Sequence, residues 1–246
     1  MELILKNASN FKKCIEAISV LIDEAELVIK ENGLELKATD PSQISMIDFF
    51  MPAEAFSKFD STELRLGLDL DYLNQVLSRA QASDELSLSL DEKKTFLCVS
   101  FNGKATRAFK VPLIDISTSE VPTPRIDFDA EIEINAGFLQ NALKDTALIS
   151  THITIGCDEE KFYIKANSSK GNLNEELKQD KELLTQMRVK NECKSMFPLD
   201  YLTDILKAAS SMDVVTIFLK SNAPIKVMYE IDKAKIMYYL APRIEN

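Results

Sequence analysis

The chain has 246 residues, 46% of them hydrophobic, and a formal net charge of −10. That length suits one large domain or two of ordinary size, and so acidic a chain excludes a general basic coat for nucleic acid while leaving room for a local basic face. Its six glycines form neither a GxGxxG nor a GxxxxGKS/T run, so glycine-rich phosphate loops are excluded, and no stretch approaches the ~20 apolar residues of a membrane helix.

The start, Met1-Glu2-Leu3-Ile4-Leu5-Lys6, is too short and too acidic for a signal peptide, and an intracellular protein is expected. Phe11, Ile15, Ile18, Ile22 and Ala25 recur at helical spacing and predict a first amphipathic helix. A short apolar strand follows at 34–38. Strands are also predicted at 63–68, 85–90, 95–101 and 106–111, with a second helix starting near Leu70. Asn102-Gly103 between the last two strands predicts a two-residue hairpin turn. Residues 113–129, preceded by Pro112, contain Pro122, Pro124 and Ser117-Thr118-Ser119. Proline fixes φ and lacks a donor, so this stretch reads as an extended linker and not as a central strand. Beyond it come a helix near Phe138, strands at 162–166 and 225–231, a turn at 232–234 and a last strand at 235–240.

The chain repeats itself. Leu68-Asp69-Leu70-Asp71-Tyr72-Leu73-Asn74-Gln75-Val76-Leu77 aligns with Phe197-Pro198-Leu199-Asp200-Tyr201-Leu202-Thr203-Asp204-Ile205-Leu206 at a constant offset of 129. The offset holds through Ala80/Ala209, Asp84/Asp213, Leu86/Val215, Leu88/Ile217 and Leu90/Leu219. Residues 11–38 resemble 138–166 in the same way, with one indel. The expectation is an α+β chain of two homologous halves, each with two helices packed on antiparallel sheet, bounded as 1–112, linker 113–129 and 130–246.

Catalytic signals are sparse. Cys14, Cys98, Cys157 and Cys193 form no CxxC pair and His152 is the one histidine, so a zinc site of standard spacing is unsupported. Reduced, mostly buried cysteines are expected, with oxidised pairs left open. His152, in a β-branched run, reads as a strand residue and not as a base. The carboxylates show no clustering, although counting alone does not exclude a site built only of them.

Three segments carry a specific resemblance. They are Leu36-Lys37-Ala38-Thr39-Asp40-Pro41-Ser42, Ala105-Thr106-Arg107-Ala108-Phe109-Lys110-Val111-Pro112-Leu113-Ile114-Asp115 and Tyr238-Tyr239-Leu240-Ala241-Pro242-Arg243-Ile244. With the duplicated layout, the whole chain resembles proliferating cell nuclear antigen, the trimeric DNA sliding clamp, in its archaeal form. The resemblance implies the DNA-clamp fold in a closed trimeric ring, of identical or paralogous subunits, around double-stranded DNA of any sequence. It implies a processivity factor without catalysis, cofactor or metal. The implied partners are a clamp loader and, through short peptide motifs, DNA polymerase, flap endonuclease and DNA ligase; no membrane is involved. Residues 113–129 match the family's interdomain connector.

The resemblance also places sites. Lys12, Lys13, Arg79, Lys144 and Lys207, on the polar faces of the helices, would face DNA phosphates, which attract without reading sequence. The set is thin: Gln75 and Ser78 stand where the family often has lysines on the second helix, and Asp145 and Asp204 lie beside basic positions. Gln43, Ile44, Val121, Pro122, Ile126, Pro224, Tyr239, Leu240, Ala241, Pro242 and Ile244 match the family's peptide pocket. Arg107 and Lys110 on one edge, with Glu175 and Glu176 in 171–177, match subunit-interface strands. Two other readings stay open: an adaptor of the same fold that never closes a ring, and an unrecognised hydrolase.

Overall fold

The structure is a computed structural model in which residues 1–116 and 121–243 are described. The first half runs β1 (Glu2–Leu5), α1 (Ala8–Ser19), β2 (Glu24–Lys30), β3 (Gly33–Thr39), β4 (Ser45–Pro52), β5 (Lys58–Asp60), β6 (Leu64–Asp69), α2 (Leu70–Leu77), β7 (Glu85–Leu90), β8 (Phe96–Asn102) and β9 (Thr106–Pro112). The second runs β10 (Ala130–Asn135), α3 (Ala136–Ile149), β11 (His152–Cys157), β12 (Phe162–Ser168), β13 (Gly171–Leu177), β14 (Leu184–Val189), β15 (Cys193–Pro198), α4 (Leu199–Lys207), β16 (Val214–Leu219), β17 (Ile225–Ile231) and β18 (Ala234–Leu240). Two compact units result, Met1–Pro41 with Ile47–Pro122 and Glu230–Ile236, and Ser42–Met46 with Thr123–Tyr229 and Met237–Asn246.

In the first unit the sheet order is β5-β1-β7-β8-β9, and β2 pairs antiparallel with β3 and β6. Helix α1 buries Phe11, Cys14, Ile15 and Ile18 on one stripe, and α2 buries Leu70, Leu73, Val76 and Leu77. The second unit has a sheet β13-β12-β11-β15, and β10 pairs antiparallel with β14 and β16. There α3 and α4 bury Leu139, Leu143, Leu202, Ile205 and Leu206. Phe11 and Phe197 are fully buried, a burial worth about 3–5 kcal/mol each against alanine.

The repeat read in the sequence is a repeat of hydrogen bonds. Asn7 caps α1 through the Ser9 N–H at 2.9 Å, and Asn135 caps α3 through the Phe138 N–H at 2.9 Å. Asp84 accepts the Gln81 N–H at 2.7 Å, and its carbonyl accepts the Ala8 N–H at 3.0 Å. Asp213, at the repeated position, accepts the Ser210 N–H at 2.7 Å and its carbonyl accepts the Ala136 N–H at 2.9 Å. Each aspartate ties the turn after one helix to the start of the other. The copies diverge at the second helix: Asp69 caps α2 through the Tyr72 N–H at 2.8 Å, whereas Pro198 gives α4 no side-chain cap.

Two sequence expectations are corrected. The first helix stops at Ser19, so Ile22 and Ala25, although buried, are not on it. The alternating run from Glu24 pairs with β6 and ends the helical stripe early. The hairpin between β8 and β9 has a three-residue loop, because Asn102 pairs with Thr106. Neither Asn102 nor Gly103 adopts positive φ. Glycine is required at 103 for another reason: a Cβ there would lie 2.2 Å from Asp84 Oδ1.

Candidate functional site

Three surfaces were expected, and the helix faces come first. Lys13, Lys144 and Lys207 are exposed on α1, α3 and α4, and Lys12 is half-buried 3.6 Å from Glu16. Arg79 is not on the second helix. Helix α2 ends at Leu77, and i→i−3 bonds from Arg79 to Val76 and from Ala80 to Leu77, both 3.0 Å, tighten the chain out of it. Arg79 is exposed in the following turn, and its carbonyl accepts Arg107 Nη1 at 2.6 Å. Within the four helices, Lys12, Lys13, Lys144 and Lys207 stand against Glu16, Asp71, Asp145, Asp200 and Asp204. The helices as a set therefore carry no positive excess.

The second surface is a pair of open edges. Among the described residues strand β9 pairs only with β8, and β13 only with β12; both are seven residues long and terminal in their sheets. Each leaves a row of backbone donors and acceptors for another chain. The expected charges on these edges are committed unequally. Arg107 donates to the carboxylate of Asp84, which is 1% exposed, and lies 5.4 Å from the Phe101 ring centroid. Its charge is used within the first unit, which sequence spacing could not show. Lys110 is exposed and points over Phe96, 5.8 Å from the centroid. Glu176 is exposed and bonds Lys161 Nζ at 2.8 Å. Glu175 faces inward: its Oε2 is buried with no hydrogen-bond partner. Burial, and then the Asp145 carboxylate, hold its pKa above the usual range.

The third surface involves the linker and the C-terminal run. The linker begins on the first unit, where Ile114 donates to the Gly67 carbonyl at 3.0 Å; a Cβ on Gly67 would sit 2.0 Å from the Ile114 oxygen. It ends on the second unit. Asp129 donates to Leu219 O at 2.9 Å and Asp127 meets Lys190 at 3.0 Å. That lysine's hydrogen bond, then its charge, hold the Asp127 carboxyl below its ordinary value. Val121 (half-buried) and Pro122 (exposed) belong to the first unit.

In the second unit, Ala241 donates to Ile44 O at 2.8 Å, which holds the C-terminal run beside Gln43 and Ile44. Gln43 is exposed with φ 58°, and Ile44, Ile126, Pro224, Ala241 and Pro242 are half-buried. Tyr239 is 7% exposed and Leu240 is wholly buried, so Leu240 offers no side chain to a ligand. Ile244 lies outside the described residues, as does the linker's polar stretch 117–120.

Some neighbours of these sites had no sequence signal strong enough to find them. Lys226 opposes Phe218 across β16 and β17, its Nζ 4.7 Å from the Phe218 centroid and 5.9 Å from that of Tyr239. Phe128 packs against Phe218 with centroids 5.6 Å apart. The alternation Ile225-Lys226-Val227-Met228, just after Pro224, was the available hint. Arg243 donates its backbone N–H to Met196 O at 2.7 Å and sets Nη1 3.1 Å from His152 Nε2. Burial, then that guanidinium, lower the His152 pKa. Cys157 and Cys193, 36 positions apart, oppose each other on β11 and β15 with thiols 3.6 Å apart. Cys14 is buried and its pKa is pushed up to about 12, so its thiol is unreactive at neutral pH. Among the described residues no group of three or more His, Cys, Asp or Glu side chains could hold a metal, and no helix is long and apolar enough to cross a membrane.

Comparison with known proteins agrees along the whole length. Residues 1–120 match the profile of the proliferating cell nuclear antigen N-terminal domain, and 122–244 that of its C-terminal domain. The chain is 37% identical over 246 residues, 98% of both chains, to a DNA polymerase sliding clamp of Methanococcus vannielii. Among solved structures it is similar to PCNA from Thermococcus kodakaraensis, with a TM-score of 0.95 at 28% identity over 98% of this chain and 99% of that one. It is also similar to A. fulgidus PCNA bound to the C-terminal region of FEN-1, with a TM-score of 0.91 at 29% identity over 100% of this chain and 99% of that one.

Proposed function

The chain belongs to the proliferating cell nuclear antigen family, and on that premise we propose that it is a DNA sliding clamp, a tether for replication and repair enzymes that catalyses nothing itself. The observation that carries this reading is the pair of open seven-residue edges, one in each unit. An antiparallel junction of β9 from one copy with β13 of the next satisfies both rows of backbone groups. It is also heterologous, since different edges meet, and repetition about an axis closes a ring. Three copies close it, as the resemblance implies. Lys110 on one edge and Glu176 on the other give that junction opposite charges, while Arg107 shapes β9 from within. Residues 1–112 and 130–246 are the two clamp domains, joined by 113–129.

In the ring, Lys12, Lys13, Arg79, Lys144 and Lys207 face the duplex. With five carboxylates on the same helices, the attraction is weak and retention rests on closure. Weak, sequence-independent contact also leaves the clamp free to slide. Partners, among them a polymerase, a flap endonuclease, a ligase and a clamp loader, dock with short peptides on Ile44, Ile126, Pro224, Tyr239 and Pro242 of the second unit. The family's role on DNA places it inside the cell. Light scattering on the purified protein tests the assembly: three copies of the 27.7 kDa chain are expected, and a monomer at every concentration would contradict a ring of identical copies.

A further inference from the structure

We propose that Cys157 and Cys193 are an oxidant-sensitive dithiol, which hydrogen peroxide converts into a disulfide that bridges β11 and β15 and closes residues 157–193 into a covalent loop. Nothing in it depends on the sliding-clamp reading, since both cysteines lie in the second unit.

Cys157 is the last residue of β11 and Cys193 the first of β15, and they stand directly opposite each other in antiparallel pairing. Directly opposed residues of such a ladder have Cα atoms ~4.5–5.5 Å apart, inside the ~4.4–6.8 Å that a disulfide spans. The sulfurs are already 3.6 Å apart, so forming the bond moves side chains and leaves the backbone in place. Cys14 and Cys98 belong to the first unit, and Cys98 stands opposite Ser89 and Lys110. Both cysteines of the pair are buried, at 0% and 1% exposure, which keeps bulky oxidants out. Asn191, Glu192 and Lys194 around Cys193 are exposed, and β15 is terminal in its sheet. Local opening at a strand end admits an oxidant close to water in size.

The hydrogen bond between the thiols gives them different roles. With Cys157 as donor, that bond lowers the Cys193 pKa against the burial that would raise it, and the same bond, then burial, raise that of Cys157. Cys193 is the member that loses its proton, and a thiolate is the nucleophile. Its sulfur attacks one oxygen of the peroxide; the O–O bond breaks, Cys193 becomes a sulfenic acid, and the leaving hydroxide takes the proton that Cys193 gave up and becomes water. The Cys157 sulfur then attacks the Cys193 sulfur. The S–S bond forms, the S–O bond breaks, and the hydroxyl departs with the Cys157 proton as a second water. Two thiols have lost two electrons to one peroxide. The closed loop carries β12, β13 and β14, so the open β13 edge lies within it. Cross-linking its ends restrains the unfolded chain and favours the folded second unit.

The test treats the full-length protein with hydrogen peroxide at neutral pH, blocks the remaining thiols with iodoacetamide in denaturant and maps the peptides by mass spectrometry. A cross-link between Cys157 and Cys193, reversed by dithiothreitol, is expected. The oxidised protein should melt roughly 10 °C above the reduced one. Cys98→Ser should preserve both results, and Cys193→Ala should abolish the melting shift. The mapping needs wild-type protein alone, so it decides the matter even where a buried substitution prevents folding. Recovery of both Cys157 and Cys193 in alkylated form would overturn the proposal, as would oxidation of either to a sulfinic acid without the cross-link. A cross-link that leaves the melting temperature unchanged would overturn the claim that it restrains the loop.

Discussion

The repeated aspartates offer an internally controlled perturbation. Asp84 and Asp213 close the same turn with the same 2.7 Å bond, but Asp84 alone also holds an arginine. Replacing either with alanine removes one turn hydrogen bond, about 1 kcal/mol. Asp84→Ala also strands the Arg107 guanidinium. Breaking a buried ion pair costs about 3–5 kcal/mol. The Asp84 side chain is 2% exposed but that of Arg107 is 30% exposed, so water recovers part of the loss and ~2 kcal/mol is the fitting value. The expected totals are ~3 kcal/mol for Asp84→Ala and ~1 kcal/mol for Asp213→Ala. For a chain of this length, melting should fall by roughly 6–12 °C and 2–4 °C respectively. Thermal and urea denaturation followed by circular dichroism give both values. Asp84→Ala with Arg107→Met should recover part of the difference, since the stranded charge is gone. Equal losses for the two aspartates would refute the claim that Arg107 is spent within its own unit.

Other expectations follow from the same geometry. Lys110→Glu should shift trimer towards monomer in sedimentation without lowering protomer stability, whereas Arg107→Glu should lower both; a Lys110→Glu protein fully trimeric at low concentration would contradict the edge assignment. Alanine at Lys12, Lys13, Arg79, Lys144 and Lys207 together should reduce clamp-stimulated polymerase processivity, and wild-type stimulation should fall as salt rises; normal stimulation by the mutant at every salt concentration would exclude this set. Glu175 has a raised folded pKa, so the folded protomer binds its proton more readily than the unfolded chain and is penalised above that pKa. Glu175→Gln should therefore raise the unfolding midpoint of monomeric protein at neutral pH, and the gain should shrink as pH falls through the folded pKa. A gain constant down to pH 4 would show that the buried charge is not its source.

Much of the fold was legible because the chain writes its local rules twice. The paired LDYL helices and the strands after them follow 3.6-residue and two-residue periods, and β7 and β17 fall where alternation places them. Errors arose where a tertiary demand overrode a local signal. Ile22 and Ala25 keep the helical stripe in register, yet pairing with β6 draws Ala25 into a strand. Asn102-Gly103 carries turn chemistry, yet the glycine answers to Asp84. The same limit applies to the sites. Charge type and helix face pick out candidate lysines, but which charges are already paired depends on contacts at long sequence separation. Arg107 with Asp84, Lys226 between two rings and Cys157 against Cys193 all belong to that class.

The account's central claim is topological: the protein stays on DNA by enclosing it. The direct measurement is retention of clamp loaded by a clamp loader onto a nicked circular plasmid, separated by gel filtration before and after a single restriction cut. Because the helices carry no net positive charge, stable retention is expected on the circle in moderate salt and rapid loss once the DNA is linear. Loss from circle and linear DNA at the same rate would contradict enclosure and favour an adaptor held by surface contacts alone.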